Sequence, residues 1–500
     1  MSSITEPLDD ERDGGGRRRE REHGAAWVPE LHRLPPRRVT GTFLAVAAAA
    51  TLLASILTVH DWANPVVIAG GAALAAAPFT RRFLCRYGGP QLAQSYAVAS
   101  IYLVLLSTLV LRRRSTAELA ATPLDSAGLY RVACLAAAAG LAAIAIVLTR
   151  RWEGVPRIPR PAVLTLAYIG AAVVPIVIAV SPGLASFRVL ELAIFFTVFL
   201  ACHRSFRGTW DVPIRHLMDV IYALLATAFI GAVRSHDEAF GEIHGSDRLK
   251  GVFPQLSADF IGILGSLCVA YGLGHRRVRW LPVVFGTAFV IVAQHRTGLV
   301  AVAAVVIVRL LYQKRTSLTI VGMLAAAALA IVAFTGVADS LWLRGQAPEE
   351  IGTLSSRTEW WSEGIEAVGR SPVTGLGLSS GSRYEVFEQL GQFETPYLHG
   401  TWPEVLVGTG VVGLVILTYA YGLAVVDAAR SARPRMQLVP LLFLVSLGVN
   451  SLTHTTFELG SLAFLVFLFA VGAGSPAPAS RPTQQEIRRR TTRGEVAPAR

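Results

Sequence analysis

A long polar interval between apolar runs, residues 338–414, holds the side chains best suited to chemistry. Within it His399 is flanked by aromatic residues, and Glu394 and Glu404 are close enough in sequence to orient its ring. A neutral imidazole in that setting could remove a proton from an attacking hydroxyl group. Because a single loop histidine is more often an ordinary surface residue, the interpretation of His399 as a catalytic base depends on its neighbours.

Arg357 lies at the predicted beginning of a helix in the same interval. Ser356 and Glu359 have the spacing of a capping box, so a helix should begin at Ser356 and end near Gly369. Its free backbone N–H groups and the Arg357 guanidinium converge at one end, which favours an anion such as a phosphate. One stripe makes this helix amphipathic and suited to lie flat on a membrane: Arg357, Trp361, Gly364 and Val368, widened by Ile365.

Two further arginines precede apolar runs. Arg248 lies in a short polar segment, and Arg296 follows His295 in a polar cluster with almost no loop around it. Polar groups confined between two membrane helices must face a cavity or a partner, which makes Arg296 and His295 site candidates. Each arginine could instead be a plain interfacial anchor. The site hypothesis assigns anion binding to Arg248, Arg296 and Arg357, with His295 and Glu404 in support.

Metal or cofactor chemistry has no visible signature in the sequence. The cysteines lie in or beside apolar runs without C-x-x-C spacing and read as packing residues: Cys85, Cys134, Cys202 and Cys268. We find no metal-ligand cluster, no phosphate-binding G-x-x-x-x-G-K-[ST] loop and no G-x-S-x-G nucleophile motif. We therefore expect a site that uses neither a metal nor a cofactor.

The composition is that of an integral membrane protein. Of the 500 residues, 53% are hydrophobic and only 16% are charged, whereas soluble domains carry about 25% charged residues. The runs are continuously apolar rather than alternating, which predicts helices. The net charge of +12 fits basic cytoplasmic loops better than nucleic-acid binding, because the basic residues lie between apolar runs.

The expected fold is therefore an all-α polytopic helix bundle over residues 40–474, between disordered cytoplasmic tails at 1–39 and 475–500. Since several runs are short, the number of transmembrane helices is about 12–14. The apolar runs are 41–57, 65–79, 92–111, 130–148, 162–180, 186–201, 217–232, 256–273, 280–293, 298–312, 318–337, 404–426, 438–449 and 457–471.

The connections between the runs give an orientation. With a cytoplasmic N-terminus, the basic connections near residues 81–86, 150–160, 203–215, 275–279, 314–315 and 430–435 all fall in the cytoplasm. The same parity places residues 338–403 outside, as a long extracytoplasmic catalytic loop with amphipathic helices. The basic triplet at 112–114 is the exception, since this orientation places it outside.

Four stretches resemble motifs of the O-antigen ligase and polymerase superfamily of bacterial envelope enzymes. They are HRTGL at 295–299, Arg357 to Trp361 with SPVTGLG at 371–377, His399 to Glu404 with GTGVVGL at 408–414, and RLKGVF at 248–253. Their order and topology together carry the resemblance. Three places depart from the family pattern: Gly400 stands where Asn is usual, Gln255-Leu256 stand where an Asn is expected shortly after the upstream Phe, and His295 stands where Ser is common.

The resemblance implies a glycan on undecaprenyl diphosphate as the donor. It implies that Arg248, Arg296 and Arg357 hold the diphosphate, that His399 activates the acceptor hydroxyl, and that no metal is needed. The acceptor would be a growing glycan or a lipid, in contact with membrane lipids, and a flippase and a chain-length regulator are candidate partners.

Three functions stay open at this point. The protein could polymerise a lipid-linked polysaccharide, or ligate a finished glycan to a lipid or protein. The Ala- and Arg-rich composition is typical of a high-GC genome and fits an organism without lipopolysaccharide. A ligase would then lack its usual lipid acceptor, which favours a polymerase. A transporter or flippase should instead show internal repeats, or broken helices with ionisable groups near the midplane. Here the polar groups gather on one face beside a long loop, which favours an enzyme in the cytoplasmic membrane.

Overall fold

A computed structural model describes residues 90–108, 126–150, 155, 157–234, 240–243, 246–249, 257–313, 357–388, 390, 397–435, 437–456 and 461–475. Several sequence predictions lie outside these residues. They are the tail at 1–39, most of the tail at 475–500, the apolar runs 41–57, 65–79 and 318–337, the basic triplet at 112–114, and the catalytic loop before Arg357.

The described residues form α-helices with one small hairpin. The helices are α1 (Pro90–Thr108), α2 (Ser126–Leu148), α3 (Arg160–Val173), α4 (Pro182–Ser205), α5 (Asp211–Arg234), α6 (Ala258–Gly274), α7 (Trp280–Val292), α8 (Arg296–Gln313), α9 (Arg357–Val368), α10 (Thr401–Arg435), α11 (Val439–Ser451) and α12 (Leu462–Gly474). A 3-10 helix (Val174–Val177) extends α3, and a π-helix covers Gly381–Phe387. Strands β1 (Phe240–Ile243) and β2 (Ser246–Leu249) pair antiparallel, which the sequence patterns did not predict.

Helix length and composition confirm a polytopic membrane protein. Among the described residues, five helical segments are long and apolar enough to cross a membrane: Tyr130–Leu148, Arg160–Val177, Pro182–Ser205, Asp211–Val233 and Thr401–Ala432. Helices α6, α7, α11 and α12 are apolar but shorter. Apolar side chains on the outside of the bundle, such as Val177 and Leu281, are more than four-fifths exposed. In a membrane such side chains would face lipid.

Helices α6, α11 and α12 form the centre of the bundle. Nearly every residue of α6 and α12 is buried, as expected for helices that are apolar on all sides. A Cβ on Gly265 of α6 would lie 2.7 Å from the carbonyl oxygen of Gly286 in α7, so glycine allows this close approach. The hydroxyls of Ser266 and Ser446 are 2.8 Å apart, and Asn450 donates to Ser266, which ties α6 to α11.

The helices run between two chemically different ends. Near the N-terminus of α4, Arg188 donates to the Tyr397 hydroxyl, two residues before His399. Near its C-terminus, Arg204 donates to the carbonyl oxygen of Thr149, at the C-terminus of α2. The two arginines are about 24 Å apart along the helix axis. The basic connection after α4 therefore lies at the opposite end of the bundle from His399.

Helix α10 is broken at Gly410, whose backbone (φ 65°, ψ −168°) is not helical. The segment 371–377 fills the break: the Leu376 N–H donates to Val407 O at 2.8 Å, and the Val411 N–H donates to Pro372 O at 2.9 Å. The glycine-rich motifs at 371–377 and 408–414 are therefore hydrogen-bond partners of each other. Together they fix α9 and the π-helix against α10.

Candidate active site

Five helix ends from distant parts of the chain carry the candidate residues. Asp259 lies in the first turn of α6, His295 directly before α8, and Arg357 at the first residue of α9. His399 lies two residues before α10, and His454 three residues after α11. Four of these ends are helix N-termini, where unpaired backbone N–H groups and the helix dipole favour negative charge.

His454 lies between the other candidate side chains. Its ring centroid is 4.6 Å from that of His295 and 6.4 Å from that of His399. Its Nδ1 atom lies 3.7 Å from a carboxylate oxygen of Asp259. Thr401, at the beginning of α10, donates to the His454 carbonyl oxygen at 3.0 Å. Helices α6, α8, α10 and α11 thus meet at one cluster of imidazoles with a carboxylate.

His399 is held in a strained backbone conformation. Its φ of 49° lies in the left-handed region, which only a few per cent of non-glycine residues adopt, although asparagine, aspartate and histidine do so more often than the others. The Trp360 ring lies over its imidazole with centroids 5.5 Å apart. Trp361, the next residue of α9, donates from its indole nitrogen to the Leu398 carbonyl oxygen at 2.8 Å. Helix α9 therefore fixes both the ring and the preceding peptide.

The surroundings of His399 keep its imidazole neutral. The pKa of His399 is lowered to about 4, chiefly by burial and secondly by the positive charge of Arg357, while Asp259 acts in the opposite direction. Burial also lowers the pKa of His454 well below the ordinary value. Both rings are therefore unprotonated at neutral pH, and a neutral imidazole is the form that can accept a proton.

Glu404 and His295, the two predicted supporting residues, contact the Leu398 peptide and the His454 ring respectively. Glu404 is fully buried, and its carboxylate accepts from the Ser382 hydroxyl at 2.7 Å and from the Leu398 N–H at 3.2 Å. Among the described contacts, Glu404 thus holds the backbone before His399 and not its ring. His295 is 1% exposed and packs against His454. Glu394 lies outside the described residues.

The three arginines are described to different extents. Arg357 begins α9, as the capping-box spacing predicted, and its charge acts on both His399 and His454. Arg296 begins α8 next to His295. For Arg248 the structure describes only the backbone, in β2 opposite Gly241. Anion binding by these three residues stays a prediction.

The sequence indicates His454 only as a weaker candidate, in an i,i+4 pair with Glu458 near the outer surface, and it does not indicate Asp259. Ligand-type atoms of Asp259, His399 and His454 all lie within 4.8 Å of one another, so the folded chain has a group that could hold a metal ion. No spacing in the sequence indicated it. The positive charge of Arg357, which acts on both histidines, opposes a cation there.

Comparison with models of known protein families matches part of the chain. The family model described as O-Antigen ligase matches residues 281–418, which confirms the resemblance seen in the motifs. The matched segment contains His295, Arg296, Arg357, His399 and Glu404. Arg248, Asp259 and His454 lie outside it. No curated protein matches the chain significantly.

Proposed function

We propose, from the match of residues 281–418 to the family model described as O-Antigen ligase, that the protein is a membrane glycosyltransferase that polymerises cell-surface polysaccharide. The donor is a glycan on undecaprenyl diphosphate, the acceptor is a growing glycan, and the reaction occurs at the outer face of the cytoplasmic membrane. Both termini are cytoplasmic. A flippase that supplies the donor and a chain-length regulator are the proposed partners.

The arrangement of His399 is the observation that carries this proposal. A neutral imidazole lies on the Trp360 ring, beside the charge of Arg357 and among four helix N-termini. Proton transfer from a hydroxyl needs the unprotonated base. A diphosphate leaving group needs positive charge nearby, which arginine supplies without a metal. Both requirements are met by elements that reach the same end of the bundle.

The proposed reaction is a single displacement. The acceptor hydroxyl gives its proton to His399 while its oxygen forms a bond to the anomeric carbon of the donor. The bond from that carbon to the diphosphate oxygen breaks, and undecaprenyl diphosphate leaves with the electron pair. Arg296, Arg357 and Arg248 stabilise the charge that develops on the leaving group. His399 then loses its proton to solvent.

A ligase is the second candidate, because the matched family is described as O-Antigen ligase. The two enzymes differ in the product that accumulates when they are missing. A deletion strain of a polymerase accumulates single repeat units on the lipid carrier, whereas that of a ligase accumulates long lipid-linked chains. An intermediate trapped on the inner side would indicate a flippase.

The direct test replaces His399 with alanine. We expect at least ~10²-fold slower transfer, because general base catalysis contributes that much, with unchanged amounts of protein in the membrane. His275→Ala, at the opposite end of the bundle, is the matched control. Normal glycan chain lengths in the His399→Ala strain would contradict the assignment.

A further inference from the structure

Hydrogen bonds to Tyr397, Leu398 and Gly400 hold the loop at residues 397–400 on both sides of His399. The Tyr397 hydroxyl accepts from Arg188 at 3.0 Å. The Leu398 N–H donates to Glu404, and its carbonyl oxygen accepts from Trp361. The carbonyl oxygen of Gly400 accepts from the backbone N–H of Glu404 at 3.2 Å. His399, at the centre, has the strained φ of 49°.

Arg188 belongs to a polar network between membrane helices. Glu191 is fully buried in α4 and accepts from Arg188 at 2.7 Å, and Arg131 of α2 lies 2.5 Å from its other oxygen. Spaced three residues apart, Arg188 and Glu191 could simply neutralise each other. The structure adds Tyr397: one guanidinium nitrogen bonds Glu191 and another bonds the tyrosine hydroxyl.

A buried arginine between membrane helices is costly unless its donors are used. The planar fork of arginine reaches two acceptors in fixed directions, whereas the ammonium of lysine does not impose such a geometry. The fork therefore links the rigid α4 to a loop residue two positions from His399. A strained backbone persists only where the surrounding contacts over-determine it, and this link is one of those contacts.

We propose that Arg188 and Tyr397 are positioning residues that set the place of the His399 imidazole from helix α4. This inference rests on the proposed function, in which His399 is the base. Neither residue contacts the reacting atoms in this assignment. Their contribution is the placement of the base, for which a displacement of about 1 Å can cost ~10²-fold in rate.

The first variant is Tyr397→Phe, which removes the hydroxyl that Arg188 bonds and keeps the ring. We expect kcat to fall by about 10- to 100-fold while the KM for the lipid-linked donor and the thermal unfolding midpoint stay at the wild-type values. Tyr419→Phe, at an exposed tyrosine of α10, is the matched control and should behave as wild type. Arg188→Lys, which keeps the charge beside Glu191, should also lower kcat.

A double variant separates this inference from the proposed function. If Tyr397 acts through His399, Tyr397→Phe should have no further effect on transfer in a His399→Ala background. Wild-type kcat in both Tyr397→Phe and Arg188→Lys, with His399→Ala inactive, would overturn the positioning role and leave the proposed function standing. An equal loss in the two backgrounds would also overturn it. An active His399→Ala protein would instead reject the proposed function.

Discussion

At the scale of single residues, the charges around His399 act in opposite directions. Arg357 lowers its pKa and Asp259 raises it, on top of the larger effect of burial. His454, also neutral, adds no charge of its own at neutral pH. A bound diphosphate would neutralise Arg357 and so make His399 a stronger base when the donor is present. The free enzyme keeps the imidazole unprotonated until then.

The pH dependence of kcat/KM tests this arrangement. The acidic limb of kcat/KM reports the base in the free enzyme, so it should lie near pH 4 and not near 6.5. Arg357→Gln should move the limb to higher pH, since a positive neighbour is lost, and Asp259→Asn should move it to lower pH. Arg370→Gln, which removes an arginine paired with Glu385, is the control.

The position of the limb is informative even where a variant binds the donor poorly. Weaker donor binding on its own would lower the plateau of kcat/KM without moving the limb, so a shift of the limb in Arg357→Gln reports the lost charge. A limb that stays at the wild-type pH in both Arg357→Gln and Asp259→Asn would show that these charges do not act on the base.

The sequence indicated those site residues whose immediate neighbours in the chain form a recognisable pattern. Arg357 follows a capping serine, and His399 lies among aromatic residues before a span. Asp259 carries no such signal, and His454 is indicated only by its i,i+4 spacing from Glu458. Only the packing of α6 against α11 brings them together. Their assignment needed the fold.

At the scale of elements, helix α9 shows what an amphipathic pattern can and cannot predict. Gly364 and Val368 of the predicted stripe are buried, against Leu398 and Val407 in the case of Gly364. Ile365, which widens the predicted stripe, is 61% exposed, and its contact with a membrane surface stays a prediction. Ala367, which was not part of the predicted stripe, is also buried and packs beside Val368.

The span predicted at 404–426 is a second element whose pattern predicted only part of its structure. Its apolar run predicted one continuous helix, whereas α10 is interrupted at Gly410. Hydropathy does not detect the interruption because the residues on both sides are apolar. The signal was present in the two glycine-rich motifs, but nothing in the sequence showed that 371–377 pairs with 407–412.

From the break at Gly410 we predict that alanine has different effects on stability at two glycines of α10. Gly410→Ala should destabilise the protein, because its φ of 65° is strained for alanine by about 1–3 kcal/mol and the new Cβ would overlap the carbonyl group of Val373. Gly422→Ala should be neutral or stabilising by up to about 1 kcal/mol, because nothing lies within 4 Å of its Cβ position. Thermal unfolding in detergent measures both.

Transfer activity should follow stability in these variants. The motif at 371–377 is held by the broken segment, and through it α9 and Arg357 are held as well. Equal unfolding midpoints for Gly410→Ala and Gly422→Ala would contradict the interpretation of the break as a required backbone conformation.

At the scale of the whole molecule, the two ends of the described bundle carry different polar groups. One end gathers helix N-termini and the histidine cluster. The other gathers basic connections: the Leu438 N–H bonds Gly274 O, just before the basic segment 275–279, and Arg309 donates to Arg276 O. Basic connections are retained in the cytoplasm. We therefore expect the proposed site to face outward, towards the proposed donor.

Cysteine labelling tests this orientation in intact cells. In a Cys85→Ser background the other cysteines, Cys134, Cys202 and Cys268, are buried and should not react. A cysteine at exposed Glu366 of α9 should react with a membrane-impermeant thiol reagent from outside. A cysteine at exposed Arg277, beyond the C-terminus of α6, should react only after the membrane is permeabilised. The reverse pattern would place His399 in the cytoplasm, where an outward-facing lipid-linked glycan could not reach it.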